Sequence, residues 1–175
     1  SMVDAAKTCE GFSLFAGDIK NLILSKTFDC VISIFHVMSY QISNIDVEKV
    51  LNNAHRHLKK EGIFIFDFWY GPAVLNIKPS IRVKTLSDEK FDITRIANPT
   101  SNSNANRVDV KYDFIVEDKL NHSVSKFKEL HPMRYFFLPE MELFASKTGF
   151  EILSAEEWLT GESPSDNTWG TCIIL

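Results

Sequence analysis

Two stretches decide the fold: FDCVISIFHVMSY at residues 28–40 and HLKKEGIFIFDFWYGP at residues 57–72. In the first, residues 28–35 are apolar at most positions, so both faces of the strand they form must be covered. That is the pattern of a parallel strand with helices on either side of the sheet. Residues 63–69, IFIFDFW, repeat it. Between the two, Val47, Val50, Leu51, Ala54 and Leu58 follow the i, i+3, i+4, i+7, i+11 spacing of one helix face, with Ser43 or Asn44 as N-cap and Gly62 as C′. Strand, helix and strand make a βαβ unit with a right-handed crossover.

Outward from this unit, residues 12–16 read as a short strand closed by Gly17-Asp18. From residue 80 to residue 137 the pattern changes to longer β-like stretches, RVKTL, FDITRIA, RVDVKYDFIVED and SVSKFKELHPMRYFF, separated by polar turns. These predict an antiparallel β insertion, with NPTSNSNAN at residues 98–106 as its mobile hairpin tip or loop. A last helix is expected over residues 138–148, with Pro139 near N1 and Gly149 at C′. Two further β-like segments follow, residues 151–159 and 169–175. The sum is a single α/β domain over residues 1–175 with no internal repeat.

The 175 residues are 45% hydrophobic and 24% charged, in the range of one domain with a sizeable core. The formal net charge is −4 without a basic cluster, which argues against nucleic acid as a partner and favours a small molecule. The three cysteines, Cys9, Cys30 and Cys172, are odd in number and widely spaced; they read as small hydrophobes in a reducing cytoplasm. No window reaches the roughly 18 apolar residues of a membrane span, and no signal-peptide pattern opens the chain. There is no CxxC, HExxH or GxSxG spacing, and His55 and His57, two apart on a helix, point to different faces. Neither metal nor hydrolase chemistry is indicated.

Ligands of open α/β sheets sit outside the carboxyl ends of the strands. Those ends here are Gly17-Asp18-Ile19, then Phe35-His36-Val37-Met38-Ser39-Tyr40, then Asp67-Phe68-Trp69-Tyr70-Gly71-Pro72. With VDAAK at residues 3–7, FAGDI at residues 15–19 and LPEMELFASKTGFEI at residues 138–152, this ordered set resembles the class I, Rossmann-like S-adenosylmethionine-dependent methyltransferases. The likeness is closest to their small-molecule branch that methylates amino sugars on nucleotides.

The resemblance implies S-adenosylmethionine as cofactor and a small-molecule acceptor. It implies that Asp18 takes the adenine amino group and Ile19 the ring face, with Phe35, His36 and Val37 flanking the methionine part. A sulfonium is stabilised near aromatic faces, which Phe35, Tyr40, Trp69 and Tyr70 offer; Tyr40 therefore joins the cofactor-binding set. Phe64, Phe66 and Phe68 are assigned to the core instead. If the acceptor enters protonated a general base is required, and His36, Tyr70 and His131 are the candidates, with Asp67 beside His36.

Measured against that family the sequence lacks the first two strands and the glycine-rich loop. The expectation is a partial sheet whose apolar central strand is an exposed edge, completed by a separate N-terminal segment or by a homodimer. A chain so built is expected to bind the cofactor weakly when alone. Two other readings are a non-catalytic binding or dimerisation module and a Rossmann-type oxidoreductase. The latter is disfavoured because residues 28–40 lack a Tyr-x-x-x-Lys pair.

Overall fold

The computed structural model describes residues 10–175; the VDAAK motif and Cys9 lie outside the described residues. In chain order the elements are β1 (Phe28–Ser33), α1 (Asn44–His57), β2 (Leu58–Tyr70), α2 (Gly71–Ile77), β3 (Arg82–Ser87), β4 (Phe91–Asn102), β5 (Arg107–Asp118), β6 (Ser123–Phe136), α3 (Leu138–Lys147), β7 (Ser154–Glu157) and β8 (Gly170–Ile174). A 3-10 turn, Met38–Tyr40, follows β1.

Ser43 is the N-cap of α1: its hydroxyl accepts the Asp46 N–H at 3.1 Å. The helix stops at His57, and Gly62 is not its C′ residue. Gly62 lies inside β2, where the register with β1 shifts between Phe28 and Cys30. A Cβ at Gly62 would stand 3.0 Å from the Lys59 carbonyl and 3.1 Å from that of Asp29, so the close approach of two backbones explains the glycine. At α3 the expectation holds, with Gly149 at φ 83° just past the Thr148 C-cap.

β1 pairs with β2 in parallel, as expected of the βαβ unit, and β8 pairs antiparallel along residues 65–69 of β2. β6 joins β2 in parallel at Trp69–Tyr135 and Tyr70–Phe136. Because β8 already occupies one edge of β2 at Trp69, β6 must lie on the edge that β1 uses lower down. β1 therefore ends at Ser33 rather than Phe35: its lane is taken over by β6, and the chain must leave the sheet. Phe35 and His36 make that exit, both with left-handed φ, 65° and 61°.

The insertion is β3-β4-β5-β6, antiparallel throughout. Residues 98–102, expected in a loop, extend β4 instead. β3 ends opposite Ala97, so beyond that point β4 is an edge on that side, where Pro99 is tolerated without its N–H. Only residues 103–106 form the hairpin tip, with Asn106 left-handed.

The expected strand at residues 12–16 is absent: the segment is irregular and exposed throughout. A strand exists through its ladder hydrogen bonds, and no described strand pairs with this one. β1 itself has β2 as its single partner among the described residues, and Ile32 is 60% exposed.

Two cores result. In the first, Phe64, Phe66 and Phe68 project from β2 onto Val47, Val50, Leu51 and Ala54 of α1 and Met141, Phe144 and Ala145 of α3. Burying each such phenylalanine contributes about 1.5–3 kcal/mol. The second is smaller: Val108, Val110, Met133 and Tyr135 at the root of the insertion close on Val74 of α2, with Trp69 and Trp169 beside them. Helix α2, with Pro72 in its first turn, had no sequence-based expectation. No described helix is long and apolar enough to cross a membrane.

Candidate active site

The turn after β1 carries most of the candidate residues, and two contacts hold it. Asp67 on β2 is 1% exposed, and its carboxylate accepts the backbone N–H of His36 at 2.9 Å while its other oxygen lies 2.7 Å from His36 Nδ1. The ring approach lies off the N–H axis, since Nδ1 makes no well-formed hydrogen bond, so the backbone contact is the better-directed of the two. Two adjacent left-handed residues cost free energy, and a buried carboxylate fixed on the N–H of the second offsets that strain. One step further, the Trp69 N–H donates to the Ser39 hydroxyl at 2.9 Å, pinning the 3-10 turn to β2.

Tyr40, the last residue of that turn, reaches the insertion. Its hydroxyl is 2.7 Å from His131 Nδ1, and His131 Nε2 is 2.9 Å from Glu129 Oε2. The Tyr112 ring stands edge-on to the imidazole at 5.0 Å. Burial pushes the Tyr40 hydroxyl above its ordinary pKa, with Tyr112 and Glu129 adding to the shift. Tyr40 thus keeps its proton at neutral pH, and the imidazole tautomer decides which of the two groups donates.

The structure brings together His36 with Asp67 and Trp69, whose ring lies 6.3 Å from the imidazole, and Tyr40 with His131. Tyr70 is set apart: it caps α2 and packs with Phe64, Phe66 and Phe68 in the first core, on the opposite face of β2 from Asp67. Burial, and then Asp166, raise its pKa. Phe35 is 77% exposed and touches neither pair. Glu129 had no place in the sequence reading. Its signal was the Glu-x-His spacing on a strand, which puts both side chains on one face.

Ile19 and Val37 line a cavity of about 350 Å³ between β1 and α1, walled by Leu22, Phe28, Val31 and Phe64. That volume is at the small end for ligand pockets. Two of its polar side chains are committed to the backbone: Asn53 donates to the Ile19 and Leu22 carbonyls, and His57 Nε2 accepts the Leu24 N–H; Ser33 is the third polar residue of the lining. What remains is an apolar wall suited to a flat ring, next to Asp18. One Asp18 oxygen accepts the Lys20 N–H at 3.0 Å, and the other has only a 3.7 Å contact with the Lys20 ammonium. Ile19 and Asp18 are thus the residues here that could hold a planar heterocycle and its amino group. Among the described residues no group of three metal-ligating side chains occurs.

Residues 1–66 match the family model described as a methyltransferase domain. An S-adenosylmethionine-dependent methyltransferase from Clostridium acetobutylicum superposes with a TM-score of 0.77 at 19% identity, covering 91% of this chain and 62% of that one. Over its first 66 residues the chain is thus similar to a methyltransferase domain, and its fold is that of an S-adenosylmethionine-dependent methyltransferase with the antiparallel β insertion β3–β6. Two relatives of that class are named for their acceptors. One is a Streptomyces venezuelae dTDP-3-amino-3,4,6-trideoxy-alpha-D-glucopyranose N,N-dimethyltransferase, 21% identical over 91% of this chain and 64% of its own length. The other is an S-adenosylmethionine-bound amino pentose methyltransferase from Micromonospora echinaspora, with a TM-score of 0.67 and 18% identity over 94% of this chain and 65% of that one. The chain spans less than two thirds of the length of each of these relatives.

Proposed function

We propose that the protein transfers a methyl group to a small acceptor bearing an amine, of the amino-sugar kind. The observation that carries this reading is the 2.7 Å contact between Tyr40 and His131. It joins the strand-end turn of the cofactor-binding half to the insertion, leaving a hydroxyl and an imidazole where an acceptor nitrogen can be oriented and relieved of a proton. The two relatives named for amino sugars support the acceptor class. S-adenosylmethionine, when bound, supplies an electrophilic methyl group on a sulfonium. Asp18 and Ile19 hold its adenine end, and Val37 and His36 stand beside the path toward its methionine end. Positioning the acceptor nitrogen in line then supplies much of the acceleration. The formal net charge of −4, without a basic cluster in the sequence, agrees with a small-molecule acceptor rather than nucleic acid.

The adenine contacts on these residues are few, so the 175-residue chain by itself is expected to bind S-adenosylmethionine in roughly the millimolar range. Two or three absent charge-assisted hydrogen bonds of about 1.5–3 kcal/mol each weaken a micromolar site by on the order of a thousandfold. Completion of the sheet along the edge of β1 that has no partner among the described residues, by another segment or a second copy, is the proposed route to full affinity. The decisive experiment offers a panel of nucleotide-linked amino sugars and simple amines, with methyl-labelled cofactor, to the protein expressed from its own reading frame. Label transfer to an amino sugar is expected, and transfer to no member of the panel overturns the proposal. Titration calorimetry on the isolated chain checks the affinity: a dissociation constant below about ten micromolar contradicts the placement of the cofactor.

A further inference from the structure

The chain Tyr40–His131–Glu129 has a direction. An ionised carboxylate only accepts hydrogen bonds, so Glu129 at 2.9 Å requires the proton on His131 Nε2. Nδ1 is then a lone pair, and it accepts the Tyr40 O–H at 2.7 Å. Each proton is displaced toward Glu129, whose side chain is 48% exposed and in exchange with water. At the other end Tyr40 is 45% exposed. The titratable and charged groups around the imidazole are Tyr40 on the turn, Glu129 beside it on β6, Tyr112 on β5, and Arg95 on β4, whose guanidinium lies over the Tyr112 ring at 5.2 Å. Arg95 is thus held by the neighbouring ring and does not neutralise Glu129 directly. His36 and Asp67 form no such outlet, because Asp67 is buried and committed to backbone.

We propose that Tyr40, His131 and Glu129 form a proton relay that carries a proton from the acceptor ammonium to water, with Glu129 as the positioning residue that fixes the His131 tautomer. The inference rests on the amine-methylation reading above. One proton moves through the chain. The acceptor N–H bond breaks with its electron pair left on nitrogen, and the proton joins the Tyr40 oxygen as the Tyr40 O–H proton passes to His131 Nδ1. The phenol stays neutral, and the imidazolium so formed is stabilised by Glu129 until its Nε2 proton leaves through the carboxylate to water. The His131 left protonated on Nδ1 then exchanges protons with water to regain, before the next turnover, the Nε2–H form that Glu129 favours. The arrangement has the logic of a triad in which a carboxylate orients a histidine and the histidine takes a hydroxyl proton, with a tyrosine in the outer position.

Nitrogen-15 NMR of imidazole-labelled chain reads the tautomer without any turnover. Neutral His131 is expected almost wholly as the Nε2–H form. In Glu129→Gln, where the partner is a neutral amide able to donate as well as accept, that preference is expected to fall about tenfold. Glu129→Asp should restore much of it. Glu129 is at the surface, so neither variant threatens the fold. In the protein expressed from its own frame, Glu129→Gln should also move the acidic limb of the kcat profile while leaving the KM for the methyl donor unchanged. An unaltered tautomer in Glu129→Gln overturns the relay and leaves amine methylation standing. A tautomer that responds as expected, in a protein that methylates no amine, overturns the reading on which the relay depends.

Discussion

His36, at the end of the parallel unit, and His131, on the inserted sheet, each meet a carboxylate at similar range, 2.7 Å from Asp67 and 2.9 Å from Glu129. The acids differ in burial, 1% against 48% side-chain exposure. A carboxylate out of water must be satisfied by fixed partners, and Asp67 is spent on the His36 backbone N–H, where it holds a left-handed turn in place. Glu129 is hydrated already, so its contact contributes little to stability and remains available for proton exchange. Similar distances between the same chemical groups therefore give one structural clasp and one outlet.

The sharpest way to break the distinction is at the clasp. Asp67→Ala removes a hydrogen bond to a charged group and leaves a buried N–H unpaired, and is expected to lower unfolding free energy by about 1.5–3 kcal/mol. Urea denaturation checks it, and a wild-type midpoint would show that the turn needs no clasp. The insertion should respond less to loss of a packing group. Phe114 and Phe127 stack at 4.7 Å with a 12° interplanar angle across β5 and β6, but Phe127 is about half exposed. Phe127→Ala is expected to cost about 1 kcal/mol in the same assay.

The smallest effect is expected at the exposed pair Lys59–Asp29, 2.8 Å apart. The Lys59 hydrogen bond, and then its charge, hold the Asp29 carboxyl below its ordinary pKa. The sign follows: whatever this pair contributes is present above the ordinary aspartate pKa and is lost as pH falls through the lowered one. In Lys59→Met the Asp29 titration seen by NMR should move back up while the denaturation midpoint stays put.

The parallel unit was legible because its signals are local. Ser43 caps from a hydroxyl three residues away from its partner N–H, and Phe64, Phe66 and Phe68 announce one face of a strand by alternation. The long β-like stretches of the insertion were legible for the same reason, within two residues at either end except where β4 runs on to Asn102. What failed depended on neighbours elsewhere in the chain. Residues 12–16 have strand composition but no ladder among the described residues, while residues 98–102 have loop composition but are held on β5 by a continuous register. At the site, His36 and Asp67 could be placed on adjacent strand ends, whereas Tyr40 and His131 meet across 91 positions of sequence. That meeting depends on β6 joining β2 at Tyr70, which no local pattern encodes.

β5 and β6 run in unbroken register from Arg107–Arg134 at the root to Asp118–Ser123 at the tip, an arm of roughly 40 Å at the usual antiparallel rise. Mechanically this is a cantilever. Its root is clamped by Val108, Met133 and Tyr135 in the second core, and its outer half is largely in solvent. His131 pairs with Val110, the fourth rung counted from Arg107–Arg134 and itself part of the second core. A beam bends least near its fixed end, so thermal sway of the tip reaches His131 only as a small fraction of its amplitude. The free end can swing in solvent and meet whatever approaches the site, while the imidazole keeps its distance from Tyr40.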